Sequence, residues 1–267
     1  VLLTINHTSR YDYDQPVSFA LQRLRLWPQT APGQTVHEWA VEVVGAVREV
    51  TYNDGFGNKV ELFRQERSAD SISVRAYGVV ETEDRAGVLG KIGGGPPLWI
   101  YDRVTDLTEA GPHITELAET VRAAEQSDLA QLHTLMNTIH QRITYSPGTT
   151  TVTTKAEAAL DNGAGVCQDH THVFLSAARL LGIPARYVSG YLRMEGVADQ
   201  TASHAWAEAY VDTLGWVGFD GANNICPNEN YIRIATGLDY RSTAPVSGLR
   251  IGAATETLGV HISVEQQ

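Results

Sequence analysis

The hydrophobic period of this chain changes once, near residue 90, and that change restricts it to a fold with two differently built parts. From Leu2 to about Asp84 the pattern has period two: Leu24 and Leu26 alternate with Arg23 and Arg25, and Ile72, Val74 and Ala76 with Ser71, Ser73 and Arg75. A strand turns successive side chains to opposite faces, so these are half-buried strands. Asn53-Asp54-Gly55-Phe56-Gly57-Asn58 reads as a turn between two of them, and runs of this spacing predict a sandwich-like, all-β domain. Gly93-Gly94-Gly95-Pro96-Pro97 interrupts every periodicity. The boundary is placed there, with residues 1–95 as a β-sandwich-like domain and residues 96–267 as a second domain.

Past the break the apolar spacing becomes three and four. Ile114, Leu117, Ala118 and Val121 fit one helix; Ser127 caps a second that carries Leu129, Leu132, Leu135, Met136, Ile139 and Ile143. Thr154-Lys155-Ala156-Glu157 has the form of a capping box and predicts a short helix ending near Asn162-Gly163. Strand pattern returns at Tyr231 to Ala235 and from Leu258 to Val264, a tail expected to complete a sheet.

Between these lies the segment that points to chemistry. Cys167 opens a predicted helix of about four turns that stops at Gly182-Ile183-Pro184. Unpaired N–H groups and the positive dipole end at a helix start favour a thiolate, and the glycines before Cys167 let a substrate approach the backbone. Downstream, Ala202 to Val211 and Trp216 to Asp220 read as two strands joined by a turn. His204, Trp206, Glu208 and Tyr210 share one face of the first strand, and Ala205, Ala207, Ala209 and Val211 form a smooth face suited to close packing on a helix. His204 and Asp220 are an even number of residues apart. A hairpin centred on Asp212 puts them opposite one another, whereas a four-residue loop puts Asp220 opposite Ala207, on the wrong face. A carboxylate that orients the imidazole therefore requires a bulge or an odd-length loop.

Gly165-Val166-Cys167-Gln168-Asp169-His170, Leu181-Gly182-Ile183-Pro184 through Tyr191, Ser203-His204-Ala205-Trp206 and Gly215-Trp216-Val217-Gly218-Phe219-Asp220 together resemble the bacterial transglutaminase-like proteins, and Arg10-Tyr11-Asp12-Tyr13 with Pro16-Val17 is similar to the β-sandwich region that precedes their core. The resemblance implies an α+β protein: an N-terminal all-β sandwich-like domain, then a papain-like, transglutaminase-like core in which a helix bundle packs on an antiparallel sheet or barrel. It implies a Cys-His-Asp triad of Cys167 as nucleophile, His204 as base and Asp220 as orienting partner. Acyl transfer through a thioester on peptide or glutamine amides follows, with no cofactor and with either water (a protease or amidase) or an amine (a transglutaminase) as acceptor. Tyr145, Trp206 and Gln168 are secondary candidates for lining the site or contacting an oxyanion. The sequence departs from the family at Gly221-Ala222-Asn223-Asn224 and at Leu238, outside the triad.

Two rivals come from other classes. One is a non-catalytic binding module on the same fold; the other is a zinc site built from Cys167, His170 and His172, although an offset of two turns the histidines about 200° apart on a helix. Net charge is −11 at pH 7, which disfavours a nucleic-acid partner; a peptide or protein substrate is expected instead. No apolar run reaches the length of a membrane span, the first residues do not read as a signal peptide, and the two cysteines suit a reducing compartment, so a cytoplasmic location is expected. Lys59, Lys91 and Lys155 are the only lysines, which leaves few amines for self-crosslinking.

Overall fold

The computed structural model describes residues 1–267 except 16, 18, 67–69, 94, 198 and 252–254; Pro16 and Gly94, quoted above, lie outside the described residues. The first part holds β1 (Leu2–Tyr13), β2 (Phe19–Leu24), β3 (Gln34–Val44), β4 (Ala46–Asn53), β5 (Lys59–Gln65), β6 (Ser71–Thr82) and β7 (Val88–Gly90). Then come α1 (Pro112–Ala124), α2 (Asp128–Arg142), β8 (Thr144–Tyr145), α3 (Ala156–Asn162), β9 (Ala164–Gly165) and α4 (Cys167–Leu180). The chain finishes with β10 (Ala185–Leu192), β11 (Asp199–Gln200), β12 (His204–Val211), β13 (Gly215–Phe219), β14 (Tyr231–Gly237), α5 (Tyr240–Thr243), β15 (Val246–Ile251) and β16 (Glu256–Gln266). None of the described helices is long and apolar enough to cross a membrane.

The alternation read in the sequence is the burial pattern of the N-terminal strands: Ile72, Val74 and Ala76 are buried in β6 and line a core with Leu24, Leu26 and Phe63. Two sheets result, ordered β11-β16-β1-β6-β3 and β15-β2-β5-β4. Both recruit the end of the chain. β16 runs antiparallel to β1 from Leu3↔Gln266 to Tyr13↔Glu256, and β15 pairs with β2 from Leu24↔Val246. Conversely, β7 hydrogen-bonds to β13, with Gly90 opposite Trp216. Sheet membership therefore crosses a boundary at residue 95 in both directions, and the C-terminal strands grouped with the second domain belong to the N-terminal sheets. An unpaired strand edge needs a partner, and these segments supply it.

The second part is built around α4. Its residues from Cys167 to Arg179 are all buried, enclosed by α1, α2 and α3 on one side and by the antiparallel sheet β14-β10-β12-β13-β7 on the other. Ala205, Ala207 and Ala209 of β12 share a core with Val173, Phe174, Ala177 and Ala178 of α4, and Phe174 stacks on Phe219 with ring centroids 5.3 Å apart. Side chains this small let the helix lie close to the strand, which fixes where its first residue falls relative to the strand's first residue. Those two residues are Cys167 and His204.

One local expectation is corrected. Lys155 is the residue at the start of α3 and no side chain caps it; Thr154 Oγ1 instead accepts from Thr151 N–H. Glu157 turns outward to α1, where its carboxylate accepts from the N–H groups of Gly111 (2.9 Å), His113 (2.8 Å) and Ile114 (3.1 Å). Gly111 has no side chain to cap with, and a Cβ there would lie 2.5 Å from Glu157, so a carboxylate from another helix satisfies the start of α1. Ser127 caps α2 as read, accepting from Ala130 N–H.

Candidate active site

The start of α4 is held by a clamp. Asp169 Oδ2 accepts from Val166 N–H and from Thr150 Oγ1, both at 2.7 Å, which ties the turn before the helix to the loop after β8. Burial lifts this carboxyl above its ordinary range against the pull of those bonds. Gly165 leaves room for it, since a Cβ there would lie 2.7 Å from Asp169. β8 and β9 pair in parallel, Tyr145 beside Gly165, so the glycine turn is fixed from its other side as well. Cys167 emerges from this frame at the first helical position and keeps 9 % of its surface accessible.

The hairpin resolves the register. Val211 pairs with Gly215, Tyr210 with Trp216 and Ala207 with Phe219, leaving the three-residue loop Asp212-Thr213-Leu214. This odd-length loop keeps Asp220 on the face of His204, one pair further along at the level of Trp206. Across that diagonal His204 Nε2–H donates to Asp220 Oδ2 at 2.6 Å. Cys167 is near enough to the imidazole to act on its ionisation, and Nε2 is the ring nitrogen engaged by Asp220. Burial of His204 disfavours its charged form, but Asp220 and then Cys167 outweigh that and raise the ring from 6.5 to about 10. An imidazolium flanked by a carboxylate and a sulfur is the state this environment favours.

Asp220 is fully buried and accepts five hydrogen bonds. Oδ2 takes His204 Nε2 (2.6 Å), Asn223 Nδ2 (2.7 Å) and Tyr231 Oη (2.7 Å); Oδ1 takes the N–H groups of Ala222 (2.9 Å) and Asn223 (3.2 Å). Burial works against its ionisation, and His204, Asn223 and Tyr231 together overcome it, so the carboxyl stays below the usual range. The turn Gly221-Ala222-Asn223, flagged in the sequence only as a departure, is what wraps the carboxylate. Sequence reasoning missed both Asn223 and Tyr231: Asn223 closes a local turn on Asp220, for which an aspartate followed three residues later by asparagine is a signal, whereas Tyr231 reaches it through tertiary contact, with no spacing rule to reveal it. Burial and the adjacent Asp220 both drive the Tyr231 hydroxyl well above its ordinary range.

The secondary candidates separate. Tyr145, half-exposed, lines a cleft of about 580 Å3 together with His204, Ala222, Asn223, Met194 and Val197. Trp206 is buried, its ring stacked 6.3 Å from that of His204 and edge-on to Tyr231 at 5.3 Å, so it backs the imidazole as a wall. Gln168 is buried, and neither it nor Cys167 is among the described residues lining the cleft. The histidines of the zinc alternative have other partners. The ring nitrogens of His170 lie 2.9 Å from Val166 O and 3.0 Å from Ile143 O, while His172 Nε2 accepts from Tyr240 N–H at 3.1 Å. Among the described residues no group of three or more histidine, cysteine or acidic side chains is arranged to hold a metal ion.

Comparison with known proteins agrees with this architecture. Residues 115–221 match the model of the transglutaminase-like superfamily, and residues 3–81 match that of the bacterial transglutaminase-like N-terminal region. An uncharacterised protein of Mycobacterium leprae is 30 % identical over 281 residues, spanning 98 % of both chains. A protein-glutamine gamma-glutamyltransferase of Pseudomonas aeruginosa is 29 % identical over 161 residues, which is 52 % of this chain and 23 % of that one. The crystal structure of a candidate cysteine protease from Cytophaga hutchinsonii superposes on all of this chain and 91 % of its own, with a TM-score of 0.75 at 20 % identity, a likeness of fold. Helix-borne cysteine, strand-borne histidine and aspartate, and the β-rich region before them thus place the chain in the bacterial transglutaminase-like superfamily.

Proposed function

We propose that this protein is a cysteine-dependent acyl-transfer enzyme that opens peptide or glutamine amide bonds through a thioester, with water as the acceptor. The observation that carries the reading is the hydrogen bond from His204 to the buried, five-fold hydrogen-bonded Asp220, with Cys167 at the start of α4 acting on the same ring. In this mechanism the Cys167 thiolate adds to the amide carbonyl and the C–N bond breaks as His204 gives its proton to the leaving amine. The neutral imidazole then takes a proton from water, the hydroxide adds to the thioester, and the thiolate leaves with the carboxylic acid product formed. Asp220 holds the ring in one orientation and stabilises its charged form. The backbone N–H of Cys167, at the first position of α4, is the donor offered to the oxyanion.

Transamidation is the second reading, favoured by the glutamyltransferase named among the relatives. It shares every step up to the thioester and differs only in the nucleophile that resolves it. Incubation with a glutamine-containing peptide library, with and without a labelled primary amine, separates the two. Cleaved peptide or released ammonia without amine incorporation supports hydrolysis. Incorporation that outruns both supports transamidation, and no turnover by wild type with unchanged behaviour of Cys167→Ala supports the binding-module alternative.

A further inference from the structure

The face of the sheet turned away from α4 carries a charge arrangement that the proposed acyl-transfer chemistry does not use. Glu208 of β12 is fully buried and shared by two arginines: Arg186 Nε donates to Oε2 at 2.6 Å, and Arg233 Nε to Oε1 at 2.9 Å. Two cations thus share one anion, and one positive charge is left without a partner in a desolvated setting, which is unfavourable unless something compensates it. Arg186 is 6 % exposed, and its Nη2 is buried with no hydrogen-bond partner. The guanidinium sits over Trp216, its central carbon 3.8 Å from the ring centroid, so swinging away from this position would lose that contact.

Both arginines border a cavity of about 450 Å3, with Lys91 exposed at its mouth and Tyr101, Tyr210 and Trp216 as aromatic walls. None of the described residues lining it is acidic, in a chain whose net charge is −11. Three cations with no acidic side chain among the described lining residues favour an anion, and a guanidinium fork matches a carboxylate. The aromatic walls specify a ligand with a flat or apolar body. We propose that this cavity is a binding site for a small organic carboxylate, separate from the cleft at His204, with Arg186 and Arg233 engaging the carboxylate and Trp216 and Tyr210 covering the body. Glu208 is four residues along β12 from His204, about 13 Å at the rise of a strand, so the ligand sits apart from His204.

Calorimetric titration of the full chain with benzoate, benzamide and inorganic phosphate tests this. Benzoate is expected to bind saturably below about 10 mM, with the neutral isostere benzamide weaker by about tenfold or more, because it forfeits the charge-assisted bonds. Lys91→Glu, at the exposed mouth, should keep the melting temperature of the unliganded protein and weaken benzoate by several fold, on the order of one rim charge. Arg186→Lys keeps the charge that Glu208 needs but removes the fork, and should weaken benzoate further. Cys167→Ala should leave the affinity as it is, which keeps this site independent of the acyl-transfer reading. Absence of saturable benzoate binding, equal binding of benzamide, phosphate binding in preference to benzoate, or loss of binding in Cys167→Ala would each overturn the proposal.

Discussion

Replacing Asp220 by asparagine changes one atom and removes one charge, and the structure lets both consequences be worked out. The carboxylate accepts three donors on Oδ2 and two on Oδ1. An amide has one accepting oxygen, so its NH2 must face either the three donors or the two. The milder choice sets the NH2 against the backbone N–H groups of Ala222 and Asn223 and turns the charge-assisted bond from His204 into a neutral one. Two buried donors lose their acceptor and one bond weakens, which at 1.5–3 kcal/mol for bonds to a charged group comes to about 4 kcal/mol. For a chain of this size that is a fall in melting temperature of roughly 10 °C. The chemical consequence is separable from the structural one. His204, raised to about 10 chiefly by Asp220 against burial, should drop toward its ordinary value. A ring at its ordinary 6.5 is only about a quarter charged at pH 7, so iodoacetamide labelling of Cys167 near pH 7 should slow by about threefold or more, while labelling of Cys226 stays unchanged. Labelling followed by peptide mass spectrometry, beside a thermal melt, reads both effects. A variant that melts within about 2 °C of wild type and labels with the same pH profile would show that Asp220 neither holds this turn nor tunes His204.

The two thiols should differ in the wild type: Cys226 is half-buried with its thiol pushed up by burial, so Cys167 should alkylate at least about tenfold faster at neutral pH, and equal rates would refute its activation. Glu157→Gln turns an amide NH2 toward the start of α1 and should cost about 1–3 kcal/mol in chemical denaturation, whereas no loss would mean that the cross-helix cap is idle. Stability should also depend on pH with a worked sign. Burial lowers His7 and His172 to about 4, so the unfolded chain binds the extra protons between about pH 4 and 6.5, and their contribution is lost as pH falls through that window. His204 is raised, so its contribution is whole below about pH 6.5 and declines as pH climbs toward 10. From about pH 5 to 6.5 the two buried histidines add about 1.5 kcal/mol each and His204 returns about 0.5, a net gain of roughly 2.5 kcal/mol; denaturant titrations at the two values showing a loss would reverse this assignment.

Periodicity revealed most of the architecture because burial here is regular: alternate residues of β6 are inside, and the buried apolar positions of α1 and α2 share one core with α4. The even spacing of His204 and Asp220 likewise pointed to one face, and the three-residue loop is the odd length that the argument required. What stayed hidden depends on partners remote in the chain. Glu157 has the local form of a cap for its own helix, and only the packing of α3 against α1 sends its carboxylate elsewhere. Arg186, Glu208 and Arg233 lie on three separate strands, and nothing in the spacing along one chain segment announces that they share a face. The final strands carry an ordinary alternating pattern, which says that they belong to a sheet without saying which one.

The antiparallel pairing of β1 with β16 bears on how the chain is made. Leu3 and its partner Gln266 are 263 residues apart in the sequence, so one is made well before the other. At 5–20 residues per second the wait between them is about 10 to 50 s, far longer than a hairpin needs to form. During that interval β1 has β6 on one side and an open edge on the other, while the alternate residues due to be covered by β16 stay wet. The β1 edge of the nascent β-rich half therefore closes only once β16 has been made.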